Sequence, residues 1–393
     1  MQELPFTQSA ASPGRSRLVV GCMSGTSLDG IDIALARIRG SGRSMEVDVL
    51  FAGERPWPEP MRSNLLAIAD PDADVRLSVA ALSALDASLA EIYAEAIRSV
   101  VQQSGHTMAD IDVVGNHGQT VFHDPKAGHT MQLGNPSRLA NLLGVPVVGD
   151  FRQADMALGG EGAPLVPYMD WALFTSPTEH RLLLNLGGIA NITSLPPNAD
   201  REQVLAFDTG PANMILDQLA SRLLGAPYDQ DGAVSAAGSA DELVVEELLN
   251  DAYFRQPPPK STGRERFGRT YVDRVVHLTD HLGTADRMAT AAAVTTRSIV
   301  DAVRRFVPGS PDVLWVSGGG VHNRAVMQGL ESGFAGMSVA SLASVGYDPD
   351  AKEAVCFALL AHEAMNGIAT GMPSVTGARG RAFSGKICPA GTT

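Results

Sequence analysis

The chain has 393 residues, 45% hydrophobic and 19% charged, which excludes a disordered polymer and allows two or three domains. Its 30 basic and 43 acidic residues give a formal charge of −13, which excludes a general nucleic-acid or anionic-membrane surface, since either needs a basic footprint. A phosphorylated ligand stays open, because backbone N–H groups in a glycine-rich turn hold phosphate without excess lysine.

Val19-Val20-Gly21-Cys22 has the outline of a lipoprotein cleavage box, but Met1 to Arg17 contain Glu3, two prolines and two arginines. A secretion signal needs an apolar run of about seven residues there. Residues 1–17 are therefore read as a flexible extension and Leu18 to Gly21 as a buried strand. That strand runs into Cys22-Met23-Ser24-Gly25-Thr26-Ser27 and returns along Gly30 to Ala36, a hairpin pattern. Met45 to Ala52 reads as a further strand. Arg76 to Gln102 has helical periodicity, with Val79, Leu82, Leu85, Leu89, Ile92 and Ala96 on one face. Ile111 to Gly115 is a strand ending in Asn116-His117-Gly118-Gln119-Thr120. Pro136 to Leu143 is a short helix opened by proline, and Val145 to Gly149 is a strand ending at Asp150.

Leu182 to Asn185 repeats the opening pattern, passing through Leu186-Gly187-Gly188-Ile189-Ala190-Asn191 into Ile192-Thr193. The repetition predicts an internal duplication with two phosphate-gripping turns facing each other across a cleft. Pro211 to Leu224 and Ala240 to Leu249 read as helices, and three prolines at 257–259 break the chain before a loop from Lys260 to Phe267. Arg287 to Phe306 is a helix, Val313 to Val316 a strand, and Asp350 to Asn366 a helix; the glycine-rich tail is expected to pack back on the body. Alternating strands and helices predict α/β lobes at 18–178 and 179–367, with a C-terminal segment at 368–393. No segment has the roughly 20 apolar residues of a membrane span. Cys22, Cys356 and Cys388 lack metal-ligand spacing and fit a reduced, cytosolic protein.

Several motifs carry two readings each. Met23 to Gly30 supplies N–H and hydroxyl donors for phosphate, or is an ordinary hairpin turn; it has no Gly-Lys-Ser/Thr pattern. Ser317-Gly318-Gly319-Gly320 permits close approach of an adenine or ribose, or is a strand-to-helix turn. Asp150 either faces a cleft from a strand end, or is a helix N-cap or the salt-bridge partner of Arg152. Asn116, His117 and Gln119 suit sugar hydroxyls, although a lone histidine is commonly structural. Asp208-Thr209-Gly210-Pro211 caps and opens a helix, or stands near phosphate or Mg²⁺. Glu353, early in the last long helix, is either a further group near phosphate or Mg²⁺ or a favourable N-terminal charge.

Taken in order, eight motifs resemble the anhydro-N-acetylmuramic acid kinase family from about Leu18 to Pro389. They are Met23 to Asp32, Asn116 to Thr120, Gly149 to Arg152, Gly162 to Pro167, Asn185 to Asn191, Phe207 to Pro211, Lys260 to Glu265 and Ser317 to Gly320. The resemblance implies a two-lobed actin-like (ribonuclease H-like) sugar kinase fold with an active-site cleft between the lobes. It implies ATP with Mg²⁺, anhydro-N-acetylmuramic acid as substrate, a cytoplasmic role in peptidoglycan recycling, and a homodimer. It further implies Asp150 as catalytic base and Asn116, His117, Gln119 and Arg152 around the sugar. ATP contacts would come from Gly25, Thr26, Ser27, Leu28, Asp29, Gly30, Ile31 and Asp32 in the first turn. Asn185, Gly187, Gly188, Asp208, Gly210, Gly318, Gly319 and Gly320 would supply the remainder. Metal ligands stay unassigned, since many members of the wider superfamily carry Asp where this chain has Cys22-Met23.

The implied substrate has an ether bridge from C1 to O6 with no proton to remove, so a base must act on water. Water then attacks C1, and the freed O6 takes the γ-phosphoryl group. A carboxylate held by Arg152 would stay ionised for that task. A hydroxyl-directed sugar kinase on the same fold and a non-catalytic nucleotide-binding switch are the alternatives.

Overall fold

A computed structural model describes residues 15–25, 28, 30–69 and 75–391 of the chain. The first hairpin forms as expected, with β1 (Arg17–Met23) antiparallel to β2 (Ile31–Arg39). β2 pairs in turn with β3 (Glu46–Arg55). β4 (Val113–Asn116) joins β1 in parallel. β5 (Gln119–Asp124) and β6 (His129–Leu133) form a separate hairpin, and β7 (Val147–Gly149) returns parallel to β4. The second half repeats this route. β8 (Arg181–Leu186), β9 (Ile189–Leu195) and β10 (Leu205–Pro211) make an antiparallel meander. β11 (Val313–Ser317) lies parallel to β8, and β12 (Ser338–Ser341) parallel to β11. The sheets therefore read β3-β2-β1-β4-β7 and β10-β9-β8-β11-β12, the same order twice. β13 (Lys386–Cys388) adds to the far edge of the first sheet, antiparallel to β7.

Parallel neighbours need long crossovers, and helices supply them. Val79–Gln103 lies on the β3-to-β4 route and Thr284–Phe306 on the β10-to-β11 route. These two helices, with their neighbours, cover the outer face of each sheet. The inner faces share one core: Val19, Ala34 and Val113 of the first sheet join Leu183, Leu195 and Ala206 of the second around the Lys352–Met365 helix. With both faces covered, β1 buries six of its seven residues, whereas the edge strand β3 buries none of its ten.

The Lys352–Met365 helix packs on β1, β2 and β4, although an expected boundary near 367 groups it with the second half. Gly21 and Gly115 are cross-strand partners in β1 and β4, and this helix crosses over them. A Cβ on Gly21 would enter the carbonyl of Ala354, and one on Gly115 the carbonyl of Phe357. Lys352 also forms a buried ion pair with Asp170 at 2.8 Å, and Thr193 of β9 donates to the same carboxylate at 2.7 Å.

Several expectations need correction. Pro211 does not open a helix; β10 runs through it, and the helix spans Asn213–Leu224. Lys260 to Phe267 is not all loop, since Arg264–Phe267 is a helical turn leading into the helix Arg269–Leu278. The long first helix starts at Val79, which is 85% exposed, and buries residues only from Leu89 onward. Leu82 and Leu85 of the early stripe are only partly buried, packed at the margin of the core. The three cysteines are buried and unbonded. Among the described residues no helix is long and apolar enough to cross a membrane.

Candidate active site

The ends of β1, β4 and β7 form one wall. His117 N–H donates to the Cys22 carbonyl at 3.0 Å, holding the loop after β4 against the end of β1. In the first glycine turn, Leu28 N–H donates to Gly25 O at 3.3 Å, and Leu28 itself is left-handed at φ +57°. Gln119 ties this turn to the next loop, its Nε2 donating to Gly25 O at 3.3 Å. Ser24 shares a 2.6 Å hydrogen bond with Tyr93. Leu28 and Ile31, expected among the ATP contacts, are fully buried in the core. Asp32 stands opposite Met23, and Gly30 packs against Glu54. Thr26, Ser27 and Asp29, also expected at ATP, lie outside the described residues.

Asn116, His117 and Gln119 are all buried, and the side-chain oxygens of Asn116 and Gln119 have no hydrogen-bond partner. Buried polar atoms are nearly always satisfied, so these two oxygens call for donors from water or a ligand. His117 Nε2 accepts from Arg152 Nε at 3.1 Å and from Nη2 at 2.9 Å. Burial and the guanidinium hold its imidazole well below the usual range, hence neutral. Arg152 Nη1 donates to Gly162 O at 2.8 Å. Desolvation lowers the guanidinium to about 10, which leaves it charged at neutral pH.

These bonds correct the expected pairing of Arg152 with Asp150. Asp150 sits at the end of β7 in a left-handed conformation, φ +58°. The reversal separates its carboxylate from Arg152 and leaves its side chain 32% exposed. Its ionic partner is Lys386 of β13, 3.6 Å away.

The second wall is the end of β8 and β11. Gly187 and Gly188 make the β8–β9 turn, and their carbonyls accept from Asn213 and Met214 N–H at 3.0 and 3.1 Å. Gly318, at φ +81°, is packed so closely on Asn185 and Leu186 that a side chain would collide with both. Gly320 is closed off by Leu186 and Asn213. Gly319 is exposed, and a Cβ there would come no nearer than 3.6 Å to Asn213. Gly319→Val is therefore expected to fold normally and yet to lose ATP affinity, about tenfold or more, if adenosine lies over this turn. Calorimetric titration with ATP decides it, and unchanged affinity returns the turn to a purely structural role.

Glu353 joins the walls. Its carboxylate accepts from Asn185 Nδ2 at 3.3 Å and is the leading charge acting on Arg152. Asp208 and Gly210 lie at a bulge in β10, beside the 260–265 segment. Asp208 accepts from Thr262 N–H at 2.9 Å, and Ser261 Oγ donates to Glu161 of the first half at 2.8 Å. Desolvation pushes the Asp208 carboxyl up to about 7; Thr262 opposes the shift, and Glu161 and Glu265 add to it. Lys260 is buried among Tyr253, Phe207 and Phe306, and desolvation brings it down to about 8. Sequence reasoning left Lys386 and Glu161 unassigned, because strand pairing and loop folding, not local motifs, bring them in.

A sheet order used twice, with a glycine turn after the first strand of each copy, is the architecture of a two-lobed sugar-kinase fold. A family model described as anhydro-N-acetylmuramic acid kinase matches residues 17–390. The chain is 49% identical to the anhydro-N-acetylmuramic acid kinase of Salinibacter ruber, over 94% of this chain and 96% of that one. It is 44% identical to the protein of the same name from Gloeobacter violaceus, over 95% and 99%. A solved ROK family glucokinase from Streptomyces griseus, in complex with glucose and AMPPNP, is 14% identical, with a TM-score of 0.39 over 88% and 99% of the two chains. The chain belongs to the anhydro-N-acetylmuramic acid kinase family.

Proposed function

We propose that this chain opens 1,6-anhydro-N-acetylmuramic acid with water and phosphorylates O6 from ATP, giving N-acetylmuramic acid 6-phosphate. The setting we propose is cytoplasmic peptidoglycan recycling by a homodimer. The observation that carries the reading is the placement of Asp150. Its left-handed backbone turns a partly exposed carboxylate out from the end of β7, the strand that runs parallel to β4, which ends at Asn116. His117 is a poor base by comparison, since its Nε2 lone pair is already taken by Arg152.

In this reading Asp150 takes a proton from water as the water oxygen bonds to C1. The C1–O6 bond breaks, and O6 forms the new bond to the γ-phosphorus as ADP departs. Phosphoryl transfer needs positioning and charge neutralisation more than covalent chemistry. Backbone N–H groups of the two glycine turns would supply part of both.

Mg²⁺ is held in such sites by one or two carboxylates plus substrate phosphates. Among the described residues no group of three or more His, Cys, Asp or Glu is placed to hold a metal. Asp208 fits the smaller requirement: it is desolvated beside two other carboxylates, an environment that a divalent cation relieves. Asp208 would hold the ion, which would neutralise phosphate charge. The carboxyl is protonated below about pH 7 and ionised above it. Mg·ATP affinity should therefore rise by up to about tenfold from pH 6 to pH 8. Asp208→Asn should flatten that rise; calorimetry at the two pH values, with parent and variant, checks it.

The function is tested by incubating the protein with ATP and the anhydro-sugar in ¹⁸O-water. The product should gain the elements of both water and phosphate, with the label at C1. A single displacement inverts C1, so early NMR should show the α anomer if the bridged carbon is β. A product gaining phosphate alone would mean a hydroxyl-directed kinase, and label in the phosphate would mean that water attacks phosphorus.

A further inference from the structure

Lys386 stands apart from the functions derived so far. It belongs to the C-terminal strand, where it is the cross-strand partner of Gly149, the residue before Asp150. Its side chain is 68% exposed, and its ammonium reaches to 3.6 Å from the Asp150 carboxylate. Arg152, two residues from Asp150, is instead bonded to His117 and Gly162. A formal charge of −13 makes the chain as a whole unwelcoming to an anionic sugar. N-acetylmuramic acid derivatives differ from N-acetylglucosamine derivatives by a 3-O-lactyl group, whose carboxylate is ionised at neutral pH.

We infer that Lys386 is a specificity-determining residue that binds the lactyl carboxylate of the substrate at the mouth of the site. The inference rests on the proposed reaction and on Asp150 lying in the sugar site. An ammonium carries three donors on a flexible four-carbon stem. It can keep one directed at Asp150 while another meets the lactyl group on the same ring. The charge then does two things. It attracts the acid to an acidic protein, and it makes the neutral anhydro-sugar a weaker ligand, since that sugar leaves the ammonium without its second acceptor.

Calorimetry without ATP tests the inference on the full chain, with 1,6-anhydro-N-acetylmuramic acid and 1,6-anhydro-N-acetylglucosamine as ligands. Lys386→Gln should weaken binding of the acid by about tenfold or more and that of the neutral sugar by no more than about twofold. Lys386→Arg should retain most of the preference. Raising salt should weaken the acid and not the neutral sugar in the parent, and should have little effect on either in Lys386→Gln. Equal losses for both sugars would reduce Lys386 to a partner of Asp150, and unchanged affinity for the acid would remove it from the site; either outcome overturns the inference. Failure of the reaction itself appears separately, as a parent protein that consumes no ATP with the anhydro-sugar.

Discussion

Asp150→Asn should bind ATP and the anhydro-sugar and turn over about 10² to 10⁴ times more slowly. An amide cannot take the proton of the attacking water at neutral pH. The substitution is a clean one because of the backbone. Position 150 is left-handed at φ +58°, a conformation that costs most side chains about 1 to 2 kcal/mol but that Asn adopts readily. Asp150→Ala would mix lost chemistry with strain; Asp150→Asn keeps the turn. The ion pair with Lys386 also goes, but its lysine is 68% exposed, and such pairs contribute little. Calorimetry should give near-parental affinities, with single-turnover ADP formation carrying the whole loss. Turnover close to that of the parent would take the base assignment away from Asp150.

A large effect on stability is expected at Gly115. An added carbon there meets the Phe357 carbonyl and the Ala361 side chain, and a backbone oxygen cannot rotate out of the way. Gly115→Ala should therefore destabilise the protein by on the order of 3 kcal/mol, the upper range for overpacking a core. Gly380→Ala is the control: its added carbon meets nothing within 4 Å, and the change should stay within about 0.5 kcal/mol. Urea midpoints of the two variants measure the difference. The displaced helix begins with Lys352 and Glu353, so the Asp170 ion pair and the link to Asn185 should shift with it. Gly115→Ala should thus lower turnover as well as stability, whereas Asp150→Asn should lower turnover alone. A Gly115→Ala protein as stable as the parent would mean that the helix does not ride against β4 as described.

What could be read from the sequence follows the range of the interactions. The helix Pro136–Leu143 is legible to the residue because its signals are local: Asn135 caps it, proline opens it and left-handed Gly144 closes it. Both glycine hairpins are legible for the same reason. Local signals mislead at Asp208 to Pro211, where a cap-and-proline pattern turns out to be a bulged strand end. There the Asp208 carboxylate is drawn to the distant Thr262 N–H, and Thr209 Oγ donates to Ala190 O, instead of capping the next helix. Asp150 and Arg152 look like a pair because they are close in sequence. The left-handed residue between strand and helix separates them, and Arg152 finds His117 instead. Lys386 had no local signal at all, because only the pairing of β13 with β7 brings it to Asp150.

The placement of the Lys352–Met365 helix has a consequence for how the chain is made. β1 and β4 leave the ribosome early, but the helix that covers their inner face, and the strand that protects the edge of β7, lie near the other end of the sequence. At about 5 to 20 residues per second, the nascent first sheet waits roughly tens of seconds with that apolar face open. Gly21 and Gly115 line the groove in which the backbone of this helix comes to lie. Newborn chains should therefore depend on holding factors until synthesis is nearly complete, and a ribosome stalled before Lys352 should display a sheet that recruits them.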